Sequence, residues 1–135
     1  MKLMKLAVAF GFSALLCFGA ESDQLSYGKY LVEEIAKCQN CHTPRTETGE
    51  LDQSKWLKGA TLDFQPTHEM PHWHKTSPDI TSSSRLFARW GEQGLVKFLE
   101  TGAGPSGHAA DTPMPAYKLK PADAEAIVAY LKSLK

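Results

Sequence analysis

The chain has 135 residues and a formal net charge of +0, from 15 basic and 15 acidic side chains, and 42% of its residues are hydrophobic. This length predicts a single domain, and the composition is that of a globular protein, which argues against wholesale disorder. Because no basic tract or patch occurs, nucleic acid is not expected as the main partner.

The first 19 residues have the organisation of a secretory signal peptide. Two lysines precede an apolar run, Leu6–Phe18, which is too short to span a bilayer comfortably, and small residues surround its end. We expect cleavage after Gly19, so that residues 20–135 form one exported domain in the periplasm. Loss of the two lysines leaves that domain with a net charge of −2. An uncleaved membrane anchor and a lipoprotein acylated at Cys17 remain as alternatives.

The first helix of the domain is predicted over residues 23–37. Its apolar side chains Tyr27, Leu31 and Ile35 recur at helical spacing, which indicates one face of an amphipathic helix. Cys38 continues the same stripe at the end of the helix. The helix is therefore expected to orient this cysteine.

Residues 37–45, KCQNCHTPR, contain the motif on which the functional prediction depends. Cys38, Cys41 and His42 have the C-x-x-C-H spacing, in which two thiols bond to porphyrin vinyl groups and the imidazole binds the iron. Structural zinc needs four ligands, and no second such pair occurs. A disulfide closing so small a loop adds little stability, and no strand precedes Cys38 as a thioredoxin-like pair requires. The pattern predicts covalent haem, with a redox pair or metal site as alternatives.

The following stretch, residues 43–84, shows little periodicity and no convincing strand alternation. Long loops of this kind are uncommon unless they serve a site, and a porphyrin would give them an apolar surface to contact. The segment HEMPHWH, residues 68–74, has side chains that suit copper or zinc. Pro71 interrupts any helical spacing that would gather those ligands, so we expect a partly exposed loop.

Residues 91–101 predict a second helix that stops before Gly102, and a loop rich in glycine and proline follows at 102–116. In this loop Met114 lies between Pro113 and Pro115, which restrict the backbone and present the thioether rigidly. Met114 is therefore the preferred second axial ligand. The alternatives are an open position or one of Met70, His68, His72, His74 and His108.

The C-terminal stretch LKPADAEAIVAYLKSLK predicts the third helix. Pro121 suits the first turn, and Asp123 lies near the positive end of the helix dipole. A stripe of apolar side chains then recurs at helical spacing, and we expect it to lie in the core. Its members are Ala124, Ile127, Leu131 and Leu134, widened by Val128 and Tyr130.

Residues 25–135 resemble a class I c-type cytochrome in the order of helix, CQNCH, tryptophan-containing middle, proline-flanked methionine and terminal helix. The segments HTPR, SPDITSSS, RW, FLETG and TPMPAY are similar to small monohaem cytochromes and haem modules that serve bacterial dehydrogenases. The resemblance implies an all-α, cytochrome c-like fold in which three or more helices and long loops surround one covalently attached haem.

The same resemblance implies roles for individual residues. Cys38 and Cys41 would be the thioether sites, His42 the proximal ligand and Met114 the distal ligand of the haem iron. An aromatic residue of the terminal helix, Tyr130, would pack on Gly28 of the first helix. Trp56, Trp73 and Trp90 are expected as pocket walls or core side chains, and one of them or Arg45 as a propionate partner. Lys120 stands where a capping serine or threonine is common.

The expected function is one-electron transfer, because iron bound by both a histidine and a methionine has no open position for a substrate. The chain would not be an enzyme itself. Its partners would be a redox donor and acceptor protein, including a membrane or periplasmic dehydrogenase of which it could be the haem subunit. The alternative is a haem protein with an open or labile distal position that acts as an enzyme or as a gas or redox sensor.

Overall fold

The computed structural model describes the backbone of residues 16–135 and the side chains of residues 21–135. Residues 1–15, most of the predicted signal peptide, lie outside this range. The helices are α1 (Leu16–Tyr30), a π-helical turn (Leu31–Ile35), α2 (Gln39–His42), a 3-10 turn (Gln53–Lys55), α3 (Arg85–Thr101) and α4 (Pro121–Ser133). Two short strands, β1 (Ala60–Thr61) and β2 (Thr76–Ser77), pair antiparallel. The predicted all-α fold is confirmed.

Helix α4 lies at the centre of the core, in contact with both α1 and α3. The predicted apolar stripe is buried except at Leu134, which caps the helix and is partly buried. Its buried members are Ala124, Ile127, Val128, Tyr130 and Leu131, and Ala126 is buried with them. Pro121 occupies the first turn as predicted, and Lys120 makes no side-chain capping hydrogen bond. None of the helices within residues 16–135 is both long and apolar enough to cross a membrane.

Helices α1 and α4 cross at a glycine. A Cβ atom built on Gly28 would lie 2.0 Å from the carbonyl oxygen of Ala126 and 2.9 Å from the Cβ atom of Tyr130. Only glycine permits this approach, so the predicted contact between Gly28 and Tyr130 is confirmed. The Tyr130 hydroxyl then donates a 2.5 Å hydrogen bond to Glu33 Oε1, which ties α4 to the turn after α1.

The first helix differs from the prediction in its ending and in its buried face. The α-helical pattern stops at Tyr30 and continues as a π-helical turn, and Lys37 then adopts a left-handed conformation with φ of 54°. Val32 is fully buried, whereas Tyr27 and Ile35 of the predicted stripe are 45% and 59% exposed. The predicted stripe is wrong at these two residues because the close approach at Gly28 turns the Gly28–Val32 face toward α4. Its other members, Leu31 and Cys38, are partly buried against the core.

Helix α3 begins six residues earlier than predicted, at Arg85. The side chain of Ser84 caps it by accepting a hydrogen bond from the Phe87 amide at 3.1 Å. The prediction failed here because the chain kinks at Gly91, whose φ of 63° and ψ of 176° are not helical. The kink interrupts the apolar periodicity, so the first part of the helix was missed. Gly102 ends the helix as predicted.

Candidate functional site

A cavity of about 580 Å³ lies between the C-x-x-C-H segment, helices α3 and α4, and the loop that follows α3. It is lined by all four predicted site residues, Cys38, Cys41, His42 and Met114. Apolar side chains of the two long helices form much of the remaining wall: Leu86, Trp90, Leu95, Phe98, Leu99, Ile127, Val128 and Leu131. The structure thus brings together residues that are far apart in the sequence.

A single helical turn holds the two cysteines and the histidine. The amides of Cys41 and His42 donate to the Cys38 carbonyl at 3.2 and 2.9 Å. Gln39, buried inside the motif, donates its side-chain amide to the Glu33 carbonyl at 2.7 Å. This bond joins the motif to the π-helical turn, so the end of the first helix fixes where the motif begins.

Both thiols are free and protonated at neutral pH. Burial raises the pKa of Cys38 to about 11 and also raises the pKa of Cys41. The reactive cysteine of a redox pair needs the opposite shift, toward a thiolate. The environment of these cysteines therefore argues against thiol–disulfide chemistry.

His42 is 6% exposed, and its imidazole ring is held by a hydrogen bond to a main-chain carbonyl. Its Nδ1 lies 2.8 Å from the Pro78 carbonyl oxygen. Because a carbonyl only accepts, Nδ1 carries the proton and the Nε2 lone pair is left for another partner. Burial also lowers the pKa of His42, so the imidazole is neutral, as a metal ligand must be.

Two loop segments, residues 57–60 and 76–81, hold the back of the motif, and we call them the proximal bracket. Gly59 donates its amide to the His42 carbonyl at 2.8 Å, and Ser77 donates its hydroxyl to the Cys41 carbonyl at 2.5 Å. The Leu57 amide donates to the Thr43 hydroxyl at 2.9 Å. These roles were not predicted from the sequence, although Ser77 and Pro78 lie in the SPDITSSS segment.

The structure narrows the candidates for a second axial ligand. Met114, His74 and His108 line the cavity; Met114 is partly buried, whereas the two histidines are exposed. Met70 is exposed and lines a separate cleft with His68. His72 lines neither of these two cavities.

Two of the three tryptophans predicted as pocket walls are not part of this cavity. Trp90 lines it, whereas Trp56 packs at the edge of the hydrophobic core and Trp73 packs edge-on against Phe64 at 5.7 Å. Trp56 and Trp73 lie outside the lining because the loops that carry them fold beside the cavity. Arg45 is also outside the lining and pairs with Asp63 at 2.8 Å.

The histidine-rich loop, residues 68–74, does not gather a metal-binding cluster. No group of three or more His, Cys, Asp or Glu side chains in the described part of the chain could hold a metal ion. One of its histidines, His74, instead lies 3.4 Å from Asp111, measured from Nε2 to Oδ2.

The residues present fit a covalently held haem. Two free thiols one helical turn apart, a neutral imidazole with an available Nε2 and a largely apolar wall surround one cavity. The cavity volume, about 580 Å³, lies in the range of cofactor sites.

The comparison with protein families matches this arrangement. The model of the Cytochrome c family covers residues 25–135. This chain belongs to the cytochrome c family. Membership implies a covalently bound haem c and electron transfer through it. The motif and the cavity fit this cofactor and this function.

Relatives of this cytochrome include parts of dehydrogenases. A fructose dehydrogenase cytochrome subunit from Gluconobacter japonicus is 34% identical over 121 residues, covering 84% of this chain and 22% of the relative. A diheme cytochrome c-type protein from Cereibacter sphaeroides is 34% identical over 110 residues, covering 78% and 33%. A nicotinate dehydrogenase subunit from Pseudomonas putida is 31% identical over 120 residues, covering 84% and 9%. The cytochrome therefore spans a third or less of these relatives.

Proposed function

We propose that this cytochrome transfers single electrons in the periplasm through one haem c attached at Cys38 and Cys41, with His42 and Met114 as the two axial ligands. The observation that carries the proposal is the single cavity that all four side chains line. The predicted signal peptide supports the periplasmic location.

Each residue has a definite task in this proposal. Cys38 and Cys41 supply the sulfur atoms of two thioether bonds, and both are free, partly buried thiols that line the cavity. His42 presents Nε2 because its Nδ1 proton is held by the Pro78 carbonyl. Met114 presents a thioether, which favours ferrous iron and raises the reduction potential.

The bound haem would supply reversible one-electron exchange at its iron, and the protein sets how easily that exchange occurs. Helices α3 and α4 provide the buried apolar wall that disfavours added charge and excludes water. With ligands from both sides, no position is left for a substrate, so the chain is not proposed to be an enzyme by itself.

A dehydrogenase is the proposed partner. The basis is the two dehydrogenase subunits among the relatives, each much longer than this chain. The cytochrome would act either as a free carrier or as the haem subunit of such a complex. Co-purification from the native host separates these possibilities, because a subunit would remain with a larger partner through size exclusion and a carrier would not.

The deciding experiment is the optical spectrum of the exported protein with a pyridine haemochrome assay. We expect one haem per chain and a low-spin ferric spectrum with a thioether–iron charge-transfer band. Met114→Ala should remove this band, and Met70→Ala, the matched control at an exposed methionine, should retain it.

Two results would contradict the proposal. A high-spin ferric spectrum with ready CO binding in the unaltered protein would favour the sensor or enzyme alternative. Normal haem content in the double variant Cys38→Ala, Cys41→Ala would exclude covalent attachment at these residues.

A further inference from the structure

The loop that carries Met114 depends on the histidine-rich loop for its hydrogen bonds. Within the described residues, every hydrogen bond from residues 104–116 to a residue outside the 102–116 loop ends on residues 71–74. The Thr112 hydroxyl lies 3.0 Å from the His72 carbonyl and 3.2 Å from the Pro71 carbonyl and shares its proton between them. The His74 amide donates to the Thr112 carbonyl at 2.8 Å.

These contacts act on the turn that presents the methionine. The Met114 amide donates to the Asp111 carbonyl at 3.0 Å, which closes a turn around Thr112. The Asp111 carboxylate lies 3.4 Å from His74 Nε2, an ion pair whenever the imidazole is protonated. The first two residues of the turn, Asp111 and Thr112, are thus joined to residues 71–74. Movement of Met114 away from the cavity would strain or break these contacts.

The backbone of the histidine-rich loop is itself held in an uncommon conformation. His72 has φ of 58°, in the left-handed region that residues with a Cβ atom rarely adopt. Such a conformation persists where surrounding contacts determine it. Here the carbonyl of the same residue is an acceptor for Thr112.

Elsewhere the Met114 loop is held by packing. Gly104 lies against the ring of Trp90, where an added Cβ atom would come within 3.0 Å of the ring. Gly102 likewise lies against Ala116, where an added Cβ atom would come within 3.0 Å of the Ala116 Cβ atom. These packing contacts fix no direction for the turn at Asp111–Met114, as a hydrogen bond does. Hydrogen bonds to the histidine-rich loop therefore provide the directional restraint on the turn.

We propose that the histidine-rich loop is a clasp that keeps Met114 at the haem iron, with Thr112 and His74 as positioning residues. The proposal rests on Met114 being the distal ligand. The clasp favours the methionine-bound state over a state in which another ligand has replaced Met114. Its function is positioning, which gives HEMPHWH a role without a second metal.

The test compares Thr112→Val with Thr112→Ser in the ferric holoprotein. Valine has a similar shape but no hydroxyl, whereas serine retains the donor. We expect Thr112→Val to bind added imidazole about fivefold more tightly and to show a weaker thioether–iron band, as loss of one ordinary hydrogen bond implies. Thr112→Ser should stay within about twofold of the unaltered protein. Thr48→Val, which removes an exposed hydroxyl that lies 2.8 Å from the Thr46 hydroxyl and is not bonded to the clasp, is the matched control and should have no effect.

A second measurement needs no substitution. Because coupling is reciprocal, replacing Met114 with saturating imidazole should weaken the clasp. Amide exchange at His74 should then become faster, while exchange at Gly59, bonded to the His42 carbonyl, should stay unchanged.

The clasp is overturned if Thr112→Val behaves as the unaltered protein, if Thr112→Ser is as impaired as Thr112→Val, or if His74 exchange does not respond to imidazole. If one of these outcomes is found but Met114→Ala still removes the thioether–iron band, the clasp is contradicted and the proposed Met114 ligation is not. If the unaltered protein lacks the band, both the clasp and the proposed Met114 ligation fail.

Discussion

The two sides of the candidate haem site are built differently. The proximal bracket holds His42, which is itself buried, through hydrogen bonds with main-chain groups, and Thr43 beside it is 2% exposed. The loop of Met114 lies largely at the surface, and in the described part of the chain the hydrogen bonds that leave it from residues 104–116 reach one other exposed loop. One ligand is thus fixed by the core, whereas the other is held by contacts that water can replace.

This difference separates what each side contributes. Buried hydrogen bonds are costly to break, because the groups that remain have no other partner. Exposed ones are easily exchanged for bonds to water. We therefore expect changes near His42 to affect assembly and stability, and changes near Met114 to affect which ligand occupies the iron.

The largest expected effect contrasts the two ligands directly. His42→Ala should reduce the yield of holoprotein by at least about tenfold, because a buried ligand and its place in the motif are lost. Met114→Ala should accumulate holoprotein close to the normal level, with an open distal position. Haem content per polypeptide measures the holoprotein yield of each variant. Equal losses in the two variants would contradict the expected difference between the two ligands.

Two glycines provide the next comparison. A Cβ atom at Gly59 would lie 2.7 Å from the Ser77 carbonyl oxygen, and φ there is +87°. Gly59→Ala should lower the free energy of unfolding by about 2–4 kcal/mol, since the backbone must move and the conformation is strained. A Cβ atom at Gly104 would be crowded by the Trp90 side chain and would meet backbone no closer than the His108 carbonyl oxygen at 3.7 Å, so Gly104→Ala should cost about 1 kcal/mol. Denaturant titration of the holoproteins measures both, and a larger loss at Gly104 would contradict the comparison.

A smaller effect is expected from two threonines that lose a hydroxyl. Thr43→Val leaves the fully buried amide of Leu57 without its acceptor and should cost about 1–3 kcal/mol of unfolding free energy. Thr112→Val should cost less than about 1 kcal/mol, because water can reach the freed carbonyls. Denaturant titration again measures both changes. Thr43→Ser retains the acceptor and is the control.

The last effect appears only at high pH and concerns a contact that belongs to neither side, the hydrogen bond from Tyr130 of α4 to Glu33 of the π-helical turn. Burial and then this hydrogen bond raise the pKa of Tyr130 to about 12 from 10.0. The unfolded chain therefore loses the proton first, so stability is retained below pH 10 and is lost as the pH rises from about 10 to about 12. Tyr130→Phe should show a shallower decline of unfolding free energy over this interval. An unchanged slope would contradict the assignment.

Local sequence patterns predicted the parts of the fold that depend on neighbouring residues. The terminal helix was recognised from Pro121, Asp123 and its apolar spacing, and its buried face is as expected. The motif at Cys38–His42 predicted covalent haem, which the family confirms, and the structure places its residues in one cavity.

Long-range features could not be predicted in this way. Pro78 holds His42 through a carbonyl, a group that every residue has, so no side-chain pattern indicates it. The exposed side of α1 was misjudged because burial there follows from the approach of α4 at Gly28, which hydrophobic spacing does not record. The kink at Gly91 concealed the start of α3 for a similar reason, since it interrupts the period on which the prediction depended.

The use of a main-chain acceptor for His42 has a consequence for mutational robustness. A side-chain partner disappears with one substitution, but an amino-acid exchange at position 78 leaves the carbonyl in place provided that the loop keeps its course. A substitution at position 78 therefore does not remove the hydrogen bond that orients the His42 imidazole. It changes that orientation only if it shifts the loop.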